Sequence, residues 1–285
     1  MASCEAVREI VPTHLTSALA MLFTPLAQAG AWAARLVHRS CAEVALGTHA
    51  ILLGLRPAHW TRPVRSVLWR QVYFTGVLAL GLASAVAMLV GFAVVLQARI
   101  WLTELGQSAF VGPILVKVIV RELAPLLVGV IVIMRSGSAI ATELGNMMVR
   151  GEVHTLQGLG IDPLRYLVLP RIAGMVVAFV CLNILFTVTA FATGYFASLL
   201  TSLQAADPLD FTADVLASLR AVDVASPFAK SVLAPLAIGS ICSHIGLACR
   251  GAPTEVPKAA THALAGSMIA LFTVCVLVSA ASYAW

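Results

Sequence analysis

From residue 71 onward, four long stretches of this 285-residue chain contain no charged side chain. They are residues 71–98, 172–206, 231–249 and 259–285. A helix needs about 20 apolar residues to cross the hydrocarbon core of a bilayer. Only 11% of the residues are charged, against roughly 25% in soluble domains, and the mean hydropathy is +0.95. The chain is therefore predicted to be an integral membrane protein.

A fifth apolar stretch is interrupted only by Lys117, Arg121 and Glu122. Five membrane-spanning helices are expected, at about 70–98, 112–134, 172–203, 229–249 and 259–284. The predicted fold class is an all-α integral membrane protein with five transmembrane helices. Two regions follow from this division. They are an N-terminal cytoplasmic or interfacial helical region, 1–62, and a membrane domain, 63–285.

The uncharged segment 15–34 allows two interpretations. Polar residues recur near one helical stripe, whereas Leu19, Leu22, Leu26 and Trp32 lie elsewhere. This amphipathic pattern favours a helix lying in the membrane interface. A sixth crossing remains the alternative.

The charges of the connecting segments predict the topology. Arginine and lysine accumulate in 1–70, 135–171 and 250–258, whereas aspartate predominates in 207–223. Basic loops stay on the cytoplasmic side of a membrane. The N terminus is therefore expected in the cytoplasm and the C terminus outside. This bias also accounts for the pI near 9.1 without a nucleic-acid partner.

Charged residues inside the predicted spans give the first functional signal. Lys117 and Arg121 are four residues apart, hence on one helical face, with Glu122 beside them and Lys230 at the start of the fourth span. A charge at the bilayer centre costs at least about 2.5 kcal/mol, so these groups should face a cavity or each other.

Three interpretations of these four residues are open. In the first, Arg121 and Glu122 form a structural ion pair, while Lys117 and Lys230 extend to the outer headgroups. In the second, they line a cavity that binds the anionic head of a lipid. In the third, the chain is a secondary transporter or channel in which Lys117, Arg121 and Glu122 relay an ion.

A polar, glycine-rich segment, 135–171, follows the second span. Lipid cannot satisfy an irregular polar backbone, so this segment is expected at or beyond the membrane face. Gly137, Ala141 and Gly145 recur every four residues, the spacing that lets membrane helices approach closely. Packing within one chain is favoured over a dimer interface.

The same segment predicts a short cytoplasmic helix. Residues 152–159 would place Val153, Leu156 and Leu159 on one side, and Gly160 would end the helix. A short helix at this face is suited to docking a soluble partner. An irregular loop is the other interpretation.

Several kinds of site lack their sequence signals. The six cysteines and seven histidines show no metal-ligand spacing or disulfide pattern. No catalytic set of residues and no GxxxxGK[ST] phosphate loop occurs. The chain is therefore expected to be non-catalytic and to hold no cofactor or metal.

Three motifs resemble the MlaE/YrbE permease family, the membrane subunits of lipid-transporting ABC systems. They are RELAP at 121–125, RSGSAIATELG at 135–145 and GIDPLRYLVLPR at 160–171. The resemblance runs in one register from about Val64 to the C terminus. It implies an N-terminal interfacial helix, five membrane helices and a location in the bacterial inner membrane. It also implies transport of phospholipid or a related lipid between membranes of the cell envelope.

The resemblance implies partners and site residues as well. The partners are cytoplasmic ABC ATPase subunits that bind ATP and Mg²⁺, a second permease copy that is identical or a paralogue, and an MCE-domain protein on the outer face. The candidate lipid-binding residues are Lys117, Arg121, Glu122 and Lys230. The candidate ATPase-coupling residues, in segment 146–162, are Arg150, Glu152, Val153, Leu156, Leu159 and Asp162. The chain departs from the family pattern at Gly151, His154 and Cys275.

Overall fold

The computed structural model describes residues 62–104, 114, 116–201, 221–249 and 251–283. Every regular element in these ranges is helical, and no strand occurs in them. The predicted all-α fold class is therefore confirmed. The segment 15–34 lies outside the described residues, and so does most of the two predicted outer loops.

Eight α-helices occur in the described part of the chain. They are α1 (Arg62–Thr75), α2 (Leu80–Glu104), α3 (Ala124–Val132), α4 (Ser138–Val149), α5 (Glu152–Gly158), α6 (Leu169–Thr201), α7 (Ala221–Leu247) and α8 (Glu255–Tyr283). A 3₁₀ turn, Val77–Ala79, connects α1 to α2. Three π-helical segments, Val116–Leu123, Ile133–Gly137 and Leu164–Val168, lead into α3, α4 and α6.

Four helical stretches of the described chain are long and apolar enough to cross a membrane. They are Arg62–Ala98, Leu164–Ala197, Ala221–Leu247 and Glu255–Tyr283. Each begins before the span predicted from the charge-free runs. A charge ends an uncharged run but does not end a helix, because polar and charged residues are good helix formers outside the lipid. Asp223, which the sequence analysis places in a loop, accordingly lies within α7.

The second predicted span, near 112–134, is helical from Val116 onward and does not end at Arg135. π- and α-helical segments follow one another directly as far as Val149. The first part of the polar segment is thus a helix, α4, that packs against α7 and α8. A helical backbone bonds to itself, so the argument that lipid cannot satisfy this part of 135–171 does not apply to α4.

Small residues on α4 set its distance from the neighbouring helices. A Cβ atom on Gly137 would lie 3.2 Å from Cys242 Sγ of α7, and one on Gly145 would lie 3.2 Å from Val256 Cγ1 of α8. Ala141 is fully buried between them. The stripe of small residues therefore packs within the chain, as the sequence analysis favoured.

Helix α6 lies at the centre of the packing, in contact with α1, α2 and α7. One face of its middle section is fully buried, with the large side chains Met175, Phe179, Leu182 and Phe186. Toward its C-terminal end it contacts α2 through small residues instead, because a Cβ on Gly91 would overlap the backbone of Ala190. The neighbouring helices α1, α2 and α7 therefore all pack against this one helix.

Candidate functional site

A cluster of buried charged side chains joins three separate elements. Arg121 and Glu122 lie on the first π-helical segment, Asp223 and Lys230 lie on α7, and the last turns of α8 cover them. We call these four residues the charge cluster. It holds two cations and two carboxylates, so its formal charge is zero.

Lys230 is the most enclosed member of the charge cluster. Its side chain is fully buried, and its Nζ donates hydrogen bonds to Glu122 Oε2 at 2.9 Å and to the carbonyl oxygen of Arg121 at 2.6 Å. Ser279 Oγ of α8 donates to the other carboxylate oxygen, Glu122 Oε1, at 2.8 Å. A buried ammonium needs such partners, because an unpaired charge in an apolar interior is costly.

The proline of the RELAP motif explains part of this geometry. Pro125 has no N–H to donate to the carbonyl of Arg121, four residues earlier. Lys230 Nζ donates to that carbonyl oxygen from the neighbouring helix. π-Helical turns are rare and often mark functional sites, and this one carries two members of the charge cluster.

Arg121 makes a second set of contacts. Its Nη1 lies 3.4 Å from Asp223 Oδ1, its Nη2 donates to Ser282 Oγ, and its Cζ lies 4.1 Å from the ring centroid of Tyr283. The guanidinium is thus held by a carboxylate, a hydroxyl and an aromatic face, which is the kind of environment that arginine suits.

Two buried polar atoms at the charge cluster have no hydrogen-bond partner among the described residues. They are Arg121 Nε and Ser226 Oγ. Ser226 lies on α7 between Asp223 and Lys230. Buried donors are normally satisfied, so these two atoms are exceptions within the charge cluster.

The structure corrects the predicted pairing of these charges. Arg121 and Glu122 do not pair with each other; Arg121 pairs with Asp223 and Glu122 with Lys230. Consecutive side chains on a helix point in different directions, so each of the two meets a different partner. Lys230 does not extend to the headgroups either, because its side chain is fully buried.

Lys117 is not part of the charge cluster. Its side chain is exposed, and it makes no ion pair with the described residues. The ion relay through Lys117, Arg121 and Glu122 is therefore not assembled in this structure.

Sequence reasoning missed the contribution of Asp223 and of the end of α8. Asp223 was assigned to an outer loop, but it is 3% exposed. The spacing of Asp223, Ser226 and Lys230, three and then four residues apart, does place them on one helical face. That spacing is the signal that could have identified them. Nothing in the sequence indicates that Ser279, Ser282 and Tyr283 cover the cluster.

The other candidate residues surround α5, the predicted short helix. Gly151 precedes it with φ +75° and Gly160 follows it with φ +75°, so glycine suits both turns. Arg150 and Glu152 form an exposed ion pair of 3.8 Å. Asp162 Oδ1 accepts a hydrogen bond from the backbone N–H of Leu164 at 3.0 Å, which begins the next helical segment.

The three apolar residues of α5 differ in exposure. Val153 is 3% exposed and packs in the core, and Leu156 is half-buried against the same core. Leu159 is 71% exposed, and Ile161 beside it is 40% exposed. Val153 therefore anchors α5 to its own chain, while Leu159 and Ile161 are free to contact a partner.

The charge cluster and α5 lie toward opposite ends of α8. Glu122 contacts Ser279 near the end of α8, whereas Gly145, close before α5, approaches Val256 in its first turn. The 23 residues from Val256 to Ser279 rise by about 35 Å along a helix. This exceeds the roughly 30 Å of a hydrocarbon core.

Long apolar helices with a buried charge cluster at one end and a short helix at the other define a multi-pass helical membrane protein. The sequence model of the family described as Permease MlaE matches residues 68–281. The chain belongs to this family.

Curated relatives agree with this family. The chain is 30% identical to the chloroplast protein TRIGALACTOSYLDIACYLGLYCEROL 1 of Arabidopsis thaliana over 75% of this chain and 59% of that protein. It is 30% identical to a probable ABC transporter permease protein of Synechocystis sp., over 71% of this chain and 76% of that protein. It is 25% identical to the intermembrane phospholipid transport system permease protein MlaE of Haemophilus influenzae, over 69% of this chain and 75% of that protein. The chain thus spans about three fifths of the Arabidopsis protein and about three quarters of the two bacterial ones.

Proposed function

We propose that this chain is the permease subunit of an ABC transporter that moves phospholipid or a related lipid between membranes of the cell envelope. It does no bond chemistry itself. A separate ATPase subunit binds ATP and Mg²⁺ and drives the transport. Membership of the family and the printed function of the Haemophilus relative support this proposal.

The observation that carries the proposal is the charge cluster. Arg121 and Lys230 are buried cations with matched carboxylates. The unpartnered Arg121 Nε and Ser226 Oγ supply donors for phosphate oxygens, which form strong charge-assisted hydrogen bonds. Glu122 is the one partly exposed member of the charge cluster, at 38% of its side chain, and we propose that the ligand approaches the cluster from this side. The proposed ligand is the head of a phospholipid.

The position of α5 supports coupling to an ATPase. It lies at the end of the molecule that also carries the basic side chains of Arg150, Arg165, Arg171 and Lys258. Basic residues favour the cytoplasmic side, where an ATPase would bind. We propose that Leu159 and Ile161 contact it and that movement of α5 is relayed through α4. The charge cluster then faces outward, where an MCE-domain protein would receive the lipid.

The complete transporter would include further chains. We propose a second permease copy, identical or a paralogue, beside this one in the bacterial inner membrane, and an MCE-domain protein on the outer face. Family membership supports each of these partners.

Replacing Arg121 tests the lipid site. We expect Arg121→Ala to lower the phospholipid that co-purifies with the permease, as measured by mass spectrometry. Losing a charge-assisted hydrogen bond of about 1.5–3 kcal/mol corresponds to tenfold or more in affinity. Arg121→Lys should lose less, because it keeps the charge but not the planar guanidinium. Arg65→Ala, at an exposed arginine of α1, is the matched control.

A double variant separates lipid binding from simple packing. Arg121→Ala leaves Asp223 buried without its cation, and Arg121→Ala with Asp223→Ala removes that uncompensated charge. If the double variant regains both thermal stability and bound phospholipid, Arg121 has only a structural role and the proposed lipid contact is wrong. If stability returns while phospholipid stays lost, the proposal is supported.

A further inference from the structure

A pocket of about 200 Å³ lies far from the charge cluster, between α1, α4 and the start of α6. Its polar lining includes Arg70, Gln71, Glu143 and Arg171. Its apolar wall includes Phe74 and Ile140. We call this the α1–α4 pocket, and neither the transport mechanism nor ATPase docking uses it.

The polar groups of the α1–α4 pocket are built into the structure. Arg171 is 5% exposed; its Nη2 lies 2.9 Å from Glu143 Oε1, and its Nη1 donates to the carbonyl oxygen of Leu167 at 3.3 Å. Gln71 is held as well, since its Nε2 donates to Thr75 Oγ1 at 2.8 Å. The single carboxylate of the pocket is thus already compensated by Arg171.

Two further arginines have no such compensation. Arg70 lines the pocket and makes no ion pair with the described residues. Arg135 lies beside the pocket, with its Cζ 5.8 Å from the ring centroid of Phe74, and its buried Nε has no hydrogen-bond partner among the described residues. Pocket and rim therefore carry three cations and one carboxylate, an excess of two positive charges.

The place and size of the pocket restrict what it can bind. Arg70 directly precedes the charge-free run of the first span, and Arg171 directly precedes that of the third. Charged residues at these points lie where the hydrocarbon meets the headgroups. The volume is below the roughly 300–1,000 Å³ of pockets that enclose a whole small molecule. It suits a headgroup whose acyl chains stay in the bilayer.

We propose that the α1–α4 pocket binds the phosphate of an anionic membrane phospholipid as a resident ligand, separate from the transported lipid. Arg70 and Arg135 contact the phosphate, while Phe74 and Ile140 contact the glycerol and the first carbons of the chains. The bound lipid links α1 to α4, the helix that leads into α5. Lipid binding in this pocket requires that the permease is inserted in a membrane, but it does not require transport activity.

Photo-crosslinking to the pocket tests this inference. A benzophenone amino acid replaces Val67, which lines the pocket and is half-buried, in the full-length permease in nanodiscs. With phosphatidylglycerol present, we expect a crosslinked lipid adduct by mass spectrometry, and a much weaker one in phosphatidylcholine alone. Arg70→Gln with Arg135→Gln should reduce the phosphatidylglycerol adduct about tenfold or more, as expected for lost charge-assisted contacts. Arg65→Gln, on the same helix but outside the pocket, should leave it unchanged.

Four results would overturn the inference. Equal adducts with phosphatidylcholine, or an adduct that survives the double variant while size-exclusion profiles stay normal, would show that the arginines do not select an anion. If millimolar glycerol phosphate prevents formation of the phosphatidylglycerol adduct, the pocket binds a soluble phosphate instead. Loss of this adduct with Arg121→Ala would show a single lipid site. If Arg121→Ala stops transport but leaves the adduct intact, the α1–α4 pocket binds lipid independently of the transport site at the charge cluster.

Discussion

At the residue scale, the charge cluster consists of pairs of charges that are costly alone. Arg121 and Asp223 are nearly fully buried, at 6% and 5% of their side chains. Removing one partner of a buried pair typically costs about 3–5 kcal/mol, because the other charge is left uncompensated. Each buried cation of the cluster therefore depends on its carboxylate, while the buried Arg121 Nε has no hydrogen-bond partner among the described residues.

The close approach of two helices also depends on a single residue. We expect Gly91→Ala to destabilise the protein by about 1–3 kcal/mol, because the added Cβ would overlap the backbone of Ala190 on α6. The midpoint of thermal unfolding in detergent measures this. Gly81→Ala on the same helix is the matched control: a Cβ there meets nothing within 4 Å, and alanine favours a helix by up to about 1 kcal/mol. Equal midpoints for both variants would contradict the close packing of α2 and α6.

At the scale of elements, α5 is a short helix beside the long apolar helices, and we propose that it couples them to the ATPase. It is seven residues long, too short to be stable alone, so its position depends on Val153, which packs in the core. Glycines with positive φ at either end give it sharp boundaries. An element anchored by one buried residue, with exposed Leu159 beside it, is suited to transmit movement from a docked partner.

Docking at α5 gives a prediction for one exposed residue. We expect Leu159→Asp to abolish pull-down of the ATPase while the permease keeps its thermal stability, because Leu159 is 71% exposed and an aspartate there disturbs no core. Leu156→Asp is a less selective change, since Leu156 packs against the core. Gln157→Asp, exposed and two residues away on another side of the helix, is the control. Unchanged pull-down with Leu159→Asp would exclude this docking surface.

At the scale of the whole molecule, the two ends of α8 contact different parts of the chain. Its first turn packs against Gly145 of α4, and its last turns hold Glu122 and Arg121 through Ser279 and Ser282. The same helix therefore connects the end near α4 to the charge cluster across about 35 Å. We propose that this connection lets a small displacement at α5, passed on through α4, reach the proposed lipid site.

The orientation of the whole molecule can be measured by thiol labelling. In a variant without the native cysteines, we expect Ala221→Cys at the start of α7 to react with a membrane-impermeant maleimide in intact cells. Thr155→Cys and Thr254→Cys should react only after the membrane is permeabilised, because they lie at the basic end. All three positions are exposed, so burial does not explain a difference. Reaction at position 155 in intact cells would reverse the proposed topology.

The sequence by itself determined the helical class, four of the membrane spans and the short helix α5. Charge-free runs and glycine positions encode these features locally, so no knowledge of neighbouring helices is needed. It also marked Arg121, Glu122 and Lys230, because a charge in a membrane span is conspicuous in any sequence.

Only the tertiary structure decided which charges meet. Lys230 binds Glu122 across 108 positions of the chain, and Arg121 binds Ser282 across 161. Such pairings depend on how helix ends are brought together by packing at Gly91, Gly137 and Gly145, which local pattern does not specify. The same packing leaves Lys117 exposed and apart from the charge cluster. It also places Val153 in the core and forms the α1–α4 pocket. Spacing along the chain locates a charge on its helix, but its partner is set by the neighbouring helix that packs against it.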